Sequence, residues 1–160
     1  MDRRKALRNL GILTSGVILL PSCDFSKEKI SLALNNLKVN DTQEQLLKQI
    51  VKSLIPEGDL LGADSLSVDC FVWVMVDDCL DEPVQKSFVH GLNKFENQIQ
   101  HIKGKEFAEL RSEEQIEAFE IISKNETNLN ITIDQDVKDF LTLTKKFCIM
   151  GFMKSEYIMT

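Results

Sequence analysis

The sequence contains no Gly-rich phosphate loop, no Gly-x-Ser-x-Gly elbow and no His-Glu-x-x-His pair. The common nucleotide-binding, serine-hydrolase and zinc-protease chemistries therefore have no residues to work with. Histidine is scarce, with His90 and His101 alone. Eleven residues apart, they share a helix side but lie about three turns from one another. They also fall off the apolar stripe around them, so they read as solvated side chains rather than metal ligands. No Cys-x-x-Cys or Cys-x-x-Cys-His occurs among the four cysteines, which excludes a dithiol redox pair and covalent haem attachment. Proline and glycine are few, three and seven, and there is no repeat or low-complexity tract. That composition fits one globular core.

Basic residues are also in deficit, 19 against 25 acidic, for a net charge of -6. Met1–Ser22 holds four of the basic residues and one of the acidic ones, so the remainder carries 15 against 24, net -9. A surface of that sign excludes nucleic acid as a partner, because phosphates need Lys and Arg to displace their counterions. It gives no electrostatic help toward anionic lipid either. Long hydrophobic runs are missing too. The N-terminal one, Leu10–Leu20, is about half the ~20 residues a spanning helix needs, and Gly11, Ser15 and Gly16 dilute it.

What the N-terminus does have is an address. Arg3, Arg4, Lys5 and Arg8 precede that apolar run, and Leu20-Pro21-Ser22-Cys23 closes it, the layout of an export signal over residues 1–22. Paired arginines before a weakly apolar segment resemble the twin-arginine signal, used by proteins exported already folded. Leu20 three residues before Cys23, with a small serine between, resembles a bacterial lipobox whose cysteine is acylated. An acylated Cys23 would hold a soluble domain on a bilayer, at about 0.8 kcal/mol per buried CH₂. The expected place is the periplasmic face of a bacterial membrane, with a tether over residues 23–41 kept outside the core.

From residue 42 onward the periodicity is helical, and the fold expected for residues 42–160 is an all-α bundle of about four to six helices. Thr42 with Gln45 offers a capping box, and Leu46, Leu47, Ile50, Val51, Leu54 and Ile55 recur at helical spacing until Pro56. Ser65–Leu80 is the most apolar part. Its β-branched run suits a buried strand on propensity, but its length, the lack of a hairpin partner and the aspartates at its ends favour helix. Pro83 opens a third helix with Val84, Phe88, Leu92, Phe95, Ile99 and Ile102 on one stripe, ending at Gly104. Ser112 with Gln115 offers another capping box, Ser123–Ile133 reads as a polar surface loop, and Asp134 starts a last helix. The acidic cluster Asp77, Asp78, Asp81 and Glu82 reads as solvated caps and dipole partners. Cys70 and Cys79 on one helix would lie roughly 13 Å apart, beyond the ~7 Å limit of a bridge. Cys148 either meets one of them across the bundle, or all three act as small core hydrophobes.

With those residues in view, the chain resembles the gluconate 2-dehydrogenase subunit 3 family. The matching pieces are Asp2-Arg3-Arg4 with its signal, Leu46–Ile55 running into Pro56, Gly62-Ala63, Asp78-Cys79, Phe107–Leu110 with Ser112 and Gln115, and Gly151-Phe152 with Ser155-Glu156. They cover nearly the whole chain in the expected order. The loop after Ile55-Pro56 departs from the family's usual Thr-, Asp- and Pro-rich run, reading Glu57-Gly58-Asp59-Leu60-Leu61 here. Members commonly continue past the Ser-Glu pair into a tail with aromatic and Pro-Gly residues.

The resemblance implies an accessory subunit without catalytic, cofactor-binding or metal-binding residues of its own. In the family a large subunit carries FAD and oxidises a sugar, sugar acid or polyol, and a cytochrome c subunit or another acceptor takes the electrons. The small subunit assists maturation of the large one and carries it through the twin-arginine route. The positions carried over as a partner interface are Ile55, Pro56, Gly62 and Ala63 in one loop and Gly151, Phe152, Ser155 and Glu156 in another. The rival expectation is a stand-alone acidic helical lipoprotein that binds another envelope component through its own surface.

Overall fold

The computed structural model describes residues 34–124 and 132–159. Arg3, Arg4, Cys23 and the rest of the expected export signal lie outside the described residues, as does the middle of the polar segment after Ser123. Among the described residues there are six α-helices, one 3-10 turn and no strand. The helices are α1 (Asp41–Leu54), α2 (Val68–Cys79), α3 (Glu82–Lys103), α4 (Ser112–Lys124), α5 (Gln135–Met153) and α6 (Glu156–Met159), with the 3-10 turn at Phe107–Glu109 between α3 and α4. The all-α expectation holds, including helix rather than strand for the Val68–Val76 run.

Local chemistry accounts for the helix ends. Asn40 caps α1: its side chain accepts from the Gln43 amide at 2.9 Å while Gln43 Oε1 accepts from the Asn40 amide at 3.0 Å. The expected box at Thr42 and Gln45 lies two residues too late. Pro83 sits in the first turn of α3, and Gly104, at φ 71°, closes that helix with its amide on the Gln100 carbonyl. Asp134 caps α5 by accepting from the Asp136 amide at 2.9 Å. Ser112 begins α4 without capping it, because Gln115 is used elsewhere. Its amide donates to the Phe107 carbonyl at 3.1 Å and its carbonyl accepts from the Ser53 hydroxyl at 2.8 Å.

α5 is the hub, packing on each of the other helices and most extensively on α3 and α2. The core around it is aromatic. Trp73 of α2 meets Phe88 of α3 edge-on, Phe88 meets Phe140 of α5 at 4.9 Å between centroids, and Phe95 meets Phe107 at 5.2 Å. Two glycines set how closely the helices approach. A Cβ at Gly91 of α3 would strike the Asp136 carbonyl and stand 2.6 Å from the Phe140 Cβ. A Cβ at Gly151 of α5 would stand 2.7 Å from the Phe71 ring of α2. Gly91→Ala is therefore expected to destabilise by about 1–3 kcal/mol, read as a lowered urea midpoint. An unchanged midpoint would mean that α3 and α5 separate there without cost.

Residues 34–40, the described part of the segment expected to stay outside the core as a tether, pack on the fold. Val39 is buried, and Leu34 and Leu37 pack against the core. The Asp77 carboxylate near the end of α2, only 2% exposed, accepts the backbone amides of Asn35, Asn36 and Leu37 at 2.6, 2.9 and 2.7 Å. The Asn36 and Gln85 side-chain amides donate to the Asp77 carbonyl at 3.0 and 2.8 Å. Burial pushes the Asp77 carboxyl up, but the three amides outweigh it and hold the group below the usual range. The reading of Asp77 as a solvated cap is thus corrected. Its neighbours Asp78, Asp81 and Glu82 are exposed.

A candidate docking end built from two loops

The connection from α1 to α2 is a closed, self-bonded loop. Ile55 ends α1 because Pro56 disfavours helical backbone in the residue before it. The chain then turns back until the Ala63 amide reaches the Ile55 carbonyl at 2.9 Å. Glu57 ties the interior, its two carboxylate oxygens accepting the Gly62 amide at 2.8 Å and the Ser65 amide at 3.3 Å. Hydrogen bonds from Ser65 and Gly62 hold the Glu57 carboxyl below the usual range. Gly62 is required here. A Cβ would stand 2.6 Å from the Glu57 nitrogen and 2.8 Å from the Pro56 carbonyl carbon, both backbone atoms that cannot swing away. Lys48 of α1 pins the far side through Asp64 at 3.0 Å. Ser67 enters α2 in the left-handed region, at φ 50°, a conformation non-glycine residues seldom hold.

This construction buries Ala63 and Gly62 and pushes Leu60 and Leu61 into solvent. The apolar pair at the tip is the feature that sequence reading passed over. It stood out only as a departure from the family's polar loop.

The second segment, Gly151–Glu156, is not a loop: it is the last turn of α5, the Lys154-Ser155 turn and the first residue of α6, and it lies at the same end of the molecule. Gly151, near the end of α5, packs on Val68 and Phe71 at the start of α2, and the Val68 amide is bonded to the Ala63 carbonyl at 3.0 Å. The two segments singled out in the sequence, Ile55–Ala63 and Gly151–Glu156, are therefore brought together. Within them Ala63 and Gly151 are buried against their own chain, so they shape the surface rather than supply it. Phe152 and Ser155 are half-buried, Ser155 donating its hydroxyl to the Phe152 carbonyl, and Glu156 is exposed.

The exposed stripe of α5 changes character as it nears this end. Asp139, Thr142 and Lys146, all exposed, are what a solvated helix face carries, with Lys138 and Lys145 half-buried beside them. Ile149 and Met153, 62% and 57% exposed, then continue the stripe. Tyr157 and Met159 of α6 are exposed beyond them, and on α2 Val74 is exposed while Phe71 is half-buried against Gly151. Exposed methionine and aromatic side chains at one place are a common composition of protein-binding surfaces.

A family profile matches residues 41–160, all of the helical bundle from the first residue of α1: gluconate 2-dehydrogenase subunit 3. The chain belongs to that family. No curated protein and no solved structure matches the chain. Membership associates the bundle with a dehydrogenase complex, and the expectation taken from the ordered residues of the sequence is met at that level.

Other candidate chemistries find little support in the described residues. No group of three or more His, Cys, Asp or Glu is arranged to hold a metal ion among them. His90 is an exposed side chain paired with Asp136 at 3.0 Å, beside Lys94, which bridges Asp134 and Asp136 at 2.7 and 2.9 Å. Cys70, Cys79 and Cys148 are free thiols. Cys148 is the buried one, and burial, with the Asp69 charge added, pushes its thiol up to about 12. A thiol so placed is neutral and unreactive. Cys79 is exposed, which departs from the reading of all three as core residues.

Proposed function

We propose that this protein is the non-catalytic small subunit that escorts, matures and tethers an FAD-dependent dehydrogenase of the gluconate or sugar type. The large subunit carries the flavin and the chemistry, and a cytochrome c or another acceptor takes the electrons. The observation that carries the reading is the shared end of the bundle. Two segments more than 80 residues apart in sequence are both tied there to the start of α2, and Leu60 and Leu61 on one side and Ile149, Met153, Tyr157 and Met159 on the other stand exposed. An otherwise acidic bundle gains nothing from that surface alone, whereas a subunit of a dehydrogenase complex needs one.

Arg3 and Arg4 supply the export route in this reading and Cys23 the anchor. A cargo that folds around FAD in the cytoplasm has to cross the membrane folded. One twin-arginine signal on the escort then serves both chains. The complex is accordingly periplasmic and membrane-associated.

Two experiments on the bacterium test this. Changing Arg3 and Arg4 together to lysine is expected to strand both this chain and the flavoprotein in the cytoplasm, read by fractionation and immunoblot. Deleting the gene is expected to remove membrane sugar dehydrogenase activity. Unchanged export in the first, with unchanged activity in the second, would leave the stand-alone lipoprotein as the better account.

A further inference from the structure

Asp77 is a buried carboxylate that no part of the docking end uses. It gathers three consecutive backbone amides from a segment some 40 residues earlier. It also stands at the other end of α2 from the docking surface. Nine residues separate Val68 from Asp77, which is about 14 Å along a helix axis at 1.5 Å per residue. Residues 35–37 are thus fastened where α2 ends and α3 begins, while the apolar surface gathers where α2 begins and α5 ends.

We propose that Asp77 is the clamp that fixes where residues 35–37 join the bundle, at the end of α2 away from the docking surface, so that the two ends of that helix serve separate tasks. The docking half of this statement rests on the accessory-subunit reading. The clamp half does not. Leu34, Leu37 and Val39 give this segment an apolar hold on the core, but apolar contact alone does not fix the backbone of residues 35–37 on a helix end. Three charge-assisted hydrogen bonds to one buried carboxylate do. Gln85 completes the arrangement by donating to the carbonyls of Asp77 and Leu80 at 2.8 and 2.9 Å, which satisfies the end of α2.

The test uses the full chain with Asp77→Ala and, as a shape-preserving second variant, Asp77→Asn. Lys38, which is exposed, directly follows the clamped residues 35–37. Trypsin cleavage after Lys38 in the folded wild type is expected to be slow, and to accelerate at least about tenfold in Asp77→Ala, the factor that 1.4 kcal/mol carries. Asp77→Asn keeps one acceptor and should fall between the two. Equal rates in wild type and both variants would overturn the clamp. Capture of the flavoprotein is measured on the same samples. Folded Asp77→Asn is expected to retain it, and loss of capture in that variant would overturn the separation of the two ends. If wild type itself captures no flavoprotein, the accessory reading fails while the Lys38 rates still decide the clamp.

Discussion

Phe140→Ala is expected to cost about 3–5 kcal/mol of folding stability, the largest loss from any single truncation in the bundle. The ring is fully buried, stands 4.9 Å from Phe88 and 6.0 Å from Phe95, and backs the point where Gly91 lets α3 approach α5. Removing it takes away the shared wall of the two most extensively packed helices and leaves a cavity that their backbones, held in contact at Gly91, cannot close. A domain of this size has about 5–15 kcal/mol in total, so roughly a fifth or more of its stability is at stake. Urea denaturation measures the loss. Thr142→Ala on the solvent side of the same helix is the control, expected within about 0.5 kcal/mol of wild type. A cost below about 1 kcal/mol for Phe140→Ala would mean that α5 is not the hub of the core.

The second large effect is on binding. Leu60→Asp combined with Met153→Asp places two charges on the exposed apolar end without touching a buried residue. Hot-spot residues of an interface cost 2 kcal/mol or more each, so affinity for the flavoprotein is expected to fall at least about a hundredfold. Folding stability should change by no more than about 0.5 kcal/mol per site, because both side chains are mostly in water already. Val84→Asp is the informative comparison. Val84 is also an exposed apolar residue, but it lies in the first turn of α3, near the Asp77 end, and its substitution should leave capture intact. Equal loss in both proteins would show that charge alone, rather than this end of the bundle, governs the association.

Much of the bundle was readable because its signals are local. The Phe88–Phe95–Ile99 stripe, Pro83 at a helix start, Gly104 at a helix end and Asp134 as a cap depend on residues within a turn or two of each other. Asn40-Gln43 and Thr42-Gln45 satisfy the same capping pattern. The helix begins at the earlier pair, directly after Val39, which is buried against the core. Asp77 was misread for a related reason. Its partners are backbone amides 40 or more residues away, and backbone amides leave no mark in a sequence.

The candidate interface was half legible. Pro56, Gly62 and Gly151 pointed to two segments that the fold ties to the start of α2, where Gly62 and Gly151 lie buried beneath the surface. The exposed part, Leu60, Leu61, Ile149 and Met153, looks in sequence like any other set of apolar residues at helical or loop positions. It became visible as a surface only when the stripe of α5 could be followed from its lysines onto bare isoleucine and methionine.

Purification of the tagged full chain from the bacterium's own membranes tests the central claim most directly. The account predicts that a second polypeptide comes down in near-equal amount, with the visible absorbance of an oxidised flavin and sugar or sugar-acid dehydrogenase activity. It also predicts that the Leu60→Asp, Met153→Asp protein, equally folded and equally abundant, brings down neither. Recovery of the wild-type chain without flavin or dehydrogenase activity would contradict it.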